Sequence, residues 1–340
     1  MDLKIGLIPV QKTSPGSLKE CLSNLRELVT LIFLTIGSFG FSQRDSTYVR
    51  EFPEKFTIRF GVQNTSNSFY FLNNETAEEV GLFPNDKTYL GASFLFRSVE
   101  LDLGYAPNFF SENTDNKGSK LLTLNFRMFL GQWMQTLDFY QQKGFFLDDF
   151  QGVISTSFPD ARTLKIGGTT SYIFNRNFSF RAIGFQNEWQ KKSAGSFIPS
   201  FSLYYTKFDI ENTGLGDITG SKAYNISIGP GYYYNWVIKK HFLLSAGLTA
   251  GIGLNHTKSF DKSSTAVLFH TTLRTALGYN SEHFFTGINL SAQFTEYDTT
   301  GNSIVQDDIN FVEVYLGYRF KAPKKWIEKA AAVNRKLGFD

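Results

Sequence analysis

The sequence predicts an all-β fold: a transmembrane antiparallel β-barrel of about 12 strands (12–14) with a short C-terminal amphipathic helix. Three observations predict it. The only strongly apolar run is too short to cross a membrane as a helix, and long segments of the chain alternate apolar with polar residues. The 340 residues also include 36 Phe, 16 Tyr and 29 Gly but only 9 Pro, which excludes collagen-like, coiled-coil and disordered chains.

The apolar run lies near the N-terminus, from Leu28 to Ile36. Arg26 precedes it and the small-residue stretch Gly37–Ser42 follows, which is the pattern of a secretory signal peptide. A membrane-spanning helix needs about 20 apolar residues, so a span is not predicted. We expect residues 1–42 to be a signal peptide that is cleaved during export across the inner membrane, leaving Gln43 first. The alternative is a buried helix of a soluble domain.

Charge and cysteine content narrow the possible partners. Lys and Arg total 34 against 31 Asp and Glu, a formal net charge of +3, so no nucleic-acid partner is expected. Cys21 is the only cysteine and it precedes the apolar run, so the mature chain is predicted to have no disulfide and no lipid anchor on cysteine. No metal-ligand spacing or phosphate-binding glycine loop is present, and we expect no cofactor and no metal.

Alternation with period two dominates the rest of the chain. One example places Leu244, Ala246, Leu248, Ala250 and Ile252 on one face, with Ser245, Gly247, Thr249 and Gly251 on the other. Several such segments exceed the 5 or 6 residues of an ordinary strand and reach the roughly 9 to 11 needed to span a bilayer. In lipid such a sheet must close, so residues 43–322 are predicted to form an outer-membrane β-barrel. The alternative is a secreted β-sandwich adhesin.

Twelve candidate strands follow in order from Thr88. They are residues 88–96, 99–106, 120–130, 132–142, 163–175, 178–190, 197–209, 222–237, 240–256, 265–279, 282–297 and 306–320. Phe56–Val62 and Ser68–Leu72 add a possible hairpin, which gives fourteen. Counting back from the C-terminus puts short turns near Lys239 and Asn280 in the periplasm, but also the long Lys143–Arg162 segment, unless a strand is miscounted in the first half.

Aromatic doublets near the segment ends predict the girdles of a membrane barrel. They are Tyr204-Tyr205, Phe284-Phe285 and Phe145-Phe146, and the run Tyr232-Tyr233-Tyr234 with Trp236 belongs with them.

Eight charged residues are predicted to face the lumen because each opposes apolar neighbours on its strand. They are Arg59, Glu100, Asp102, Arg127, Lys165, Arg274, Glu313 and Arg319. On the lipid face, a cation would cost about 2–4 kcal/mol at the bilayer midplane. Two interpretations remain open: a charged channel or ligand cavity, and a barrel sealed by mutually paired charges.

Evidence for catalysis is weak, and no catalytic residue is predicted. The four histidines are His241, His256, His270 and His283. They leave an outer-membrane lipid-modifying enzyme as an alternative function, although no Gly-x-Ser-x-Gly elbow accompanies them. His241 and Ser245 share a strand face, but four residues along a strand separate them by roughly 13 Å. Asp298, Asp307 and Asp308 are interpreted as solvated loop carboxylates.

The last residues depart from the barrel pattern. Pro323 is expected to end the final strand, and the spacing of Trp326, Ala330, Val333 and Leu337 predicts a helix from Lys324 to Leu337. We expect residues 323–340 to form a periplasmic helix that lies in the membrane interface, with Trp326 and Leu337 buried in lipid, rather than one that plugs the lumen.

Several short segments carry a family resemblance. They are Phe174–Arg181, Gln190–Ser196 and Pro84-Asn85 ahead of Tyr89-Leu90-Gly91. Together they resemble a Bacteroidota family known as domain of unknown function 4421. The resemblance implies a signal-peptide-bearing outer-membrane barrel and carries no catalytic residues.

Separately, Leu316–Phe320 resembles the terminal strand that the barrel-assembly machinery recognises. The expected partners are therefore this machinery and the lipid of the outer membrane. The expected role is a passive channel, a ligand-binding barrel or an envelope-structural barrel for an unidentified solute.

Overall fold

The structure is a computed structural model. It describes residues 45–73, 79–84, 87–107, 109–110, 113, 120–148, 155–184, 187–209, 220–259, 262–299 and 303–337. The predicted signal peptide, residues 1–42, lies outside the described residues. In the described part of the chain, no helix is long and apolar enough to cross a membrane.

Long β-strands make up most of the described chain. In order they are β1 (Val49–Glu51), β2 (Lys55–Asn73), β3 (Glu79–Pro84), β4 (Thr88–Phe96), β5 (Val99–Tyr105), β6 (Lys120–Leu130), β7 (Trp133–Asp148), β8 (Ser155–Tyr172), β9 (Glu188–Gln190), β10 (Ala194–Phe197), β11 (Ser200–Asp209), β12 (Lys222–Gly229), β13 (Gly231–Ile238), β14 (Phe242–Ser259), β15 (Lys262–Asn280), β16 (Phe284–Thr299) and β17 (Ser303–Lys321). One helix, α1 (Lys324–Leu337), follows them.

Antiparallel pairing closes twelve of these strands into a ring. The order around the ring is β2, β4, β5, β6, β7, β8, β11, β12, β14, β15, β16 and β17. β17 pairs with β2 along its whole length, from Ser303 opposite Asn73 to Lys321 opposite Lys55. The all-β barrel of about 12 strands is therefore confirmed. We call the end of the ring near Lys55 and Lys321 the terminal end, and the opposite end the loop end.

Two positions in the wall are each filled by a pair of consecutive strands. β12 and β13 both pair with β14 and are separated only by Pro230, which has no N–H to give to a ladder. β10 and β11 likewise pair with β13 and β12 and are interrupted at Ile198-Pro199. Each pair crosses the wall as one interrupted strand.

Two of the strand predictions are wrong. Phe56–Val62 and Ser68–Leu72 are parts of one strand, β2, and do not form a hairpin. The described residues of 178–190 do not form a wall strand, and among them only Glu188–Gln190 is β-structure. Without a strand at residues 178–190, every earlier strand crosses the wall in the direction opposite to the predicted one. The Lys143–Arg162 segment therefore lies at the loop end, as the hairpin of β7 and β8, and not beside the termini.

Most connections at the terminal end are short. Residues 97–98, 131–132, 239–241 and 281–283 join neighbouring wall strands there. Arg97, Gly131, Lys239 and Lys240 have positive φ, which tight hairpin turns require. The exception is the connection from β8 to β10, residues 173–193, which we call the inner segment.

The wall narrows toward the loop end. β3 pairs with β2 on one side and with β7 on the other. Nearer the terminal end, β4, β5 and β6 fill the same interval between β2 and β7. One strand therefore replaces three, and the register shift between Lys143 and Phe145 on β7 marks the change.

Apolar side chains cover the outside of the ring in its terminal half. Large exposed examples include Phe60, Leu137, Phe201, Leu203, Leu248, Phe269, Leu273 and Leu316. Their strand neighbours point inward, because successive side chains of a strand alternate between faces. Leu248 is 50% exposed and Thr249 is 7% exposed, as the predicted alternation requires.

The predicted C-terminal helix is confirmed as α1. It begins at Lys324, directly after Pro323, at the terminal end of the barrel. The Trp326 ring meets Phe56 edge-on at 5.8 Å and Phe96 at 6.0 Å between centroids. Arg97 Nη2 donates to the Ile327 carbonyl at 3.3 Å, which ties the helix to the β4–β5 turn.

Candidate functional site

The ring encloses a polar cavity of about 190 Å³. Inward side chains of strands from all sides of the barrel line it, so it lies within the lumen and not in a surface groove. Its two facing walls differ in chemistry, and packed side chains close the lumen beyond it at each end.

One wall of the cavity carries a cluster of five charged residues. They are Arg59 on β2, Glu100 and Asp102 on β5, Arg127 on β6 and Glu313 on β17. Arg59 Nη2 lies 3.1 Å from Asp102 Oδ1, and its Nη1 lies 3.7 Å from Glu313 Oε2. Arg127 Nη1 lies 3.1 Å from Glu100 Oε1 and 3.3 Å from Asp102 Oδ2. Each carboxylate therefore faces at least one guanidinium, as buried charges require.

The facing wall, from β8 round to β15, is rich in hydroxyl groups and glycine. It contributes Thr169, Ser171, Ser200, Ser202, Ser227, Gly229, Thr249, Gly251 and Thr272. Several hydroxyls bond to one another, including Thr169 to Ser202 at 2.9 Å and Ser171 to Ser200 at 2.9 Å. This wall offers neutral groups that can both donate and accept hydrogen bonds.

Asp138 on β7 joins the two walls. The Tyr204 hydroxyl donates to Asp138 Oδ2 at 2.7 Å, although β8 lies between their strands. Gly167 on β8 makes this reach possible, since a Cβ there would stand 2.2 Å from the Tyr204 ring. The sequence therefore needs glycine at 167 for the ring to lie flat across the strand.

The inner segment closes the lumen at the terminal end. Phe178, Phe180 and Ile183 of this segment are buried against inward-facing Phe129, Met134, Tyr233 and Ala276 of the wall. Ala182 packs with Leu243, Phe285 and Tyr315 from three further strands. Contacts on so many sides of the ring place the segment inside the barrel.

Hydrogen bonds and an ion pair fix the inner segment in place. The Ser179 hydroxyl donates to Glu188 Oε2 at 2.5 Å and accepts from the Ala182 N–H at 2.9 Å. Arg181 Nη1 lies 3.2 Å from Glu188 Oε1. The wall contributes Asn235, whose Nδ2 donates to the Ser179 carbonyl at 2.9 Å. These contacts hold the described residues of the segment in one defined arrangement.

The described N-terminal residues pair with the inner segment at the terminal end of the barrel. β1 pairs with β9, with Val49 opposite Gln190 and Glu51 opposite Glu188. The Phe52 N–H donates to the Asn187 carbonyl at 3.1 Å. The chain before the first wall strand therefore forms part of the closure.

A second packed layer closes the lumen toward the loop end. Phe69, Leu82, Phe145, Ala161 and Phe208 form its buried cluster. The rings of Phe69 on β2 and Phe208 on β11 meet edge to face at 4.8 Å. Lys165 and Asp307 also lie on opposite sides of the ring, with Nζ and Oδ2 2.8 Å apart. These contacts cross the lumen and do not merely line it.

Six of the eight predicted charged residues line the cavity. They are Arg59, Glu100, Asp102, Arg127, Arg274 and Glu313. Lys165 instead lies in the loop-end closure with Asp307. Arg319 lies at the terminal end between the rings of Phe52 and Phe285, at 4.6 and 4.7 Å, and donates to the Ser281 carbonyl at 2.7 Å.

Sequence reasoning missed Asp138, Tyr204 and Asp307. Asp138 stands between Leu137 and Phe139, so the rule that selected the other charged residues also applies to it. Asp307 was expected in a solvated loop, but it lies in β17, 2% exposed, and accepts from Asn67 Nδ2 at 2.6 Å. No local pattern marks Tyr204, because its role depends on Gly167 of the neighbouring strand.

The aromatic girdle prediction is half wrong. Phe145 and Phe285 are fully buried and point into the lumen, and Tyr204 lines the cavity. Adjacent residues of a strand point to opposite faces, so a doublet places only one ring outside.

The histidines are dispersed around the barrel. His241 Nδ1 lies 2.8 Å from the Asn280 carbonyl, His256 Nδ1 lies 2.8 Å from Thr265 Oγ1, and His283 stacks loosely on Tyr318 at 6.0 Å. His270 lines the cavity and contacts Thr295 and Thr272 at 3.1 and 3.0 Å. Among the residues that the structure describes, no group of three His, Cys, Asp or Glu side chains is arranged to hold a metal ion.

Comparison with known proteins identifies a family. A family model described as Domain of unknown function (DUF4421) matches residues 43–320, which is most of the chain. No curated protein matches the sequence.

Solved structures with similar folds include several outer-membrane proteins. The outer membrane protease OmpT from Escherichia coli is 8% identical, covers 80% of this chain and 98% of its own, and has a TM-score of 0.38. The translocator domain of the autotransporter NalP from Neisseria meningitidis is 10% identical, covers 89% of this chain and 98% of its own, and has a TM-score of 0.35.

Proposed function

The chain belongs to the family described as Domain of unknown function (DUF4421), and for this member we propose a β-barrel of the outer membrane whose closed lumen binds a small polar ligand. The observation that carries the proposal is a polar cavity between two packed layers, each made by side chains that meet inside the ring. An open passive channel is less well supported, because the contacts of Phe69 with Phe208 and of Lys165 with Asp307 cross the lumen.

The outer face supports the membrane location. Large apolar side chains cover it in the terminal half, including Val62, Leu203 and Leu316, each at least 47% exposed. Toward the loop end the outward residues become polar, as at His256, Lys258 and Asn310. A closed ring satisfies the backbone hydrogen bonds that lipid cannot satisfy. The predicted signal peptide, residues 1–42, supplies the export route.

The same arrangement fixes the proposed orientation and partners. Short turns belong at the periplasmic side of such barrels, so we assign the terminal end to the periplasm. Helix α1 would then lie at the periplasmic leaflet. There Trp326 packs against Phe56 of the outer wall and is 51% exposed. Lipid and the barrel-assembly machinery are the proposed partners, the latter through the terminal strand β17.

Thiol labelling tests whether the lumen is closed. In a Cys21→Ser background, we would replace cavity-lining Ser202 with Cys and, as a matched control on the same strand, exposed Asp209 with Cys. A membrane-impermeant maleimide added to purified protein should label Asp209→Cys rapidly and Ser202→Cys at least about tenfold more slowly. Equal labelling rates would contradict the closed lumen. Recovery of the protein in the soluble fraction of cells would contradict the membrane location.

A further inference from the structure

We infer that the cavity binds a neutral, polyhydroxylated molecule of about the size of a four-carbon polyol. This inference rests on the proposed ligand-binding function and names the chemical class of the ligand. Size, charge, hydrogen-bonding capacity and aromatic lining each support it.

The volume of the cavity sets the size of the ligand. The cavity measures about 190 Å³. For comparison, an engineered apolar cavity of about 150 Å³ holds benzene, which has six non-hydrogen atoms. By the same ratio a ligand of roughly eight non-hydrogen atoms fits, about the size of a four-carbon polyol, whereas an oligosaccharide or a diacyl lipid does not.

The charges of the lining disfavour an ion. Arg59, Arg127 and Arg274 face Glu100, Asp102, Asp138 and Glu313, and the charged wall already pairs its own members at 3.1–3.9 Å. An anion would meet an excess of carboxylates. A cation would lose its hydration without gaining a free counter-ion, because each carboxylate already has a guanidinium or hydroxyl partner.

Hydrogen-bonding capacity favours hydroxyl groups on the ligand. The hydroxyl wall presents seven Ser and Thr side chains on the side facing the charged wall, and each can both donate and accept. A polyol supplies both acceptors and donors for these hydroxyl groups.

Aromatic rings border the polar space. Phe180 and Tyr233 form its floor at the terminal end, with centroids 5.4 Å apart, and Tyr140 and Tyr204 stand at the other side. A polyol has apolar C–H groups as well as hydroxyls, so it matches a site in which aromatic surfaces and hydrogen-bonding groups lie side by side. A cavity that holds only water would need the hydrogen-bonding groups but not the aromatic surfaces.

Calorimetric titration of the purified full barrel tests the inference. The neutral probes are glycerol, erythritol and D-threitol, and the charged probes of similar size are 2-amino-1,3-propanediol and D-glycerate at pH 6. At least one neutral probe should bind, and both charged probes should bind at least about tenfold more weakly. Ser227→Ala, on the hydroxyl wall, should weaken the neutral probe about tenfold, the effect of one lost hydrogen bond. Asn310→Leu, on the exposed outer face, should leave its affinity unchanged.

Two results would overturn the inference. The first is tighter binding of 2-amino-1,3-propanediol or D-glycerate than of every neutral probe. The second is no binding of any neutral probe while Ser202→Cys stays protected from maleimide. In the second case the closed ligand-binding barrel stands and only the ligand class is wrong. Rapid labelling of Ser202→Cys would instead remove the proposed function itself.

Discussion

Phe69 and Phe208 meet edge to face across the lumen, with 4.8 Å between ring centroids and 73° between ring planes. Their strands, β2 and β11, lie on opposite sides of the ring. Eight strands already give a barrel that side chains alone can fill, so a ring of twelve closes only where large side chains from both walls meet. The replacement of three wall strands by β3 narrows the ring at this level and makes the contact possible.

Removal of Arg59 should destabilise the barrel strongly. Arg59→Ala leaves Glu100, Asp102 and Glu313 with one guanidinium fewer in a buried site, and breaking such a cluster costs about 3–5 kcal/mol. Urea unfolding from lipid vesicles measures the loss. Lys143→Ala is the control, since its partner Asp160 is exposed and the pair should contribute little. Similar losses from both variants would contradict the described cluster.

Gly167→Ala should act through Tyr204. The added Cβ would lie 2.2 Å from the Tyr204 ring, so the ring must move and its hydroxyl must leave Asp138. We expect a loss of about 1–3 kcal/mol in unfolding free energy, typical of overpacking. In a Tyr204→Ala background the same change should cost less, because the two residues are coupled, but the cost should not vanish, because the Cβ would still stand 2.5 Å from the Leu203 carbonyl oxygen. Additive effects in this double-mutant cycle would mean that the ring does not lie on Gly167.

Leu248 and Thr249 test which face of β14 meets lipid. Leu248→Arg places a cation on the outer face and should cost about 2–4 kcal/mol if that position is near the bilayer midplane. Thr249→Arg points into the lumen and should be milder. The yield of folded, heat-modifiable barrel in the membrane fraction reports both. Equal damage would place the two side chains in similar surroundings and contradict the membrane-facing belt.

Deletion of residues 323–340 should leave folding nearly unchanged. Helix α1 contacts the outer wall at the terminal end through Trp326, and none of its described side chains belongs to the buried lumen clusters. The deleted protein should therefore show the same urea midpoint as the full chain and the same low conductance. A large rise in conductance would mean that the helix closes the lumen, contrary to its position here.

The ring could be predicted from the sequence because alternation is local and strand length distinguishes a spanning strand from an ordinary one. The inner segment could not. Phe178, Phe180 and Ala182 alternate with Ser179 and Arg181 at the spacing of a strand, but their burial arises from packing inside the barrel. Alternation with period two indicates that one side of a segment is buried. It does not indicate which other residues bury that side.

The sequence predicts which charged residues face the lumen, but it does not predict the contacts between opposite walls of the barrel. Arg59 and Arg127 stand out because apolar residues flank them on their own strands. The pair of Lys165 and Asp307 joins residues 142 positions apart in the sequence and depends on how the ring closes. Such contacts decide whether a lumen is open, and no local pattern encodes them.

Conductance of the purified protein in planar bilayers tests the closed lumen most directly. We compare the native chain with a variant opened at both ends, which combines Phe69→Ala and Phe208→Ala with replacement of residues 178–183 by a Gly-Ser stretch of equal length. The native chain should stay near the baseline of protein-free bilayers, and the combined variant should conduct steadily, while opening either end alone should not suffice. A steady open conductance from the native chain would contradict the account.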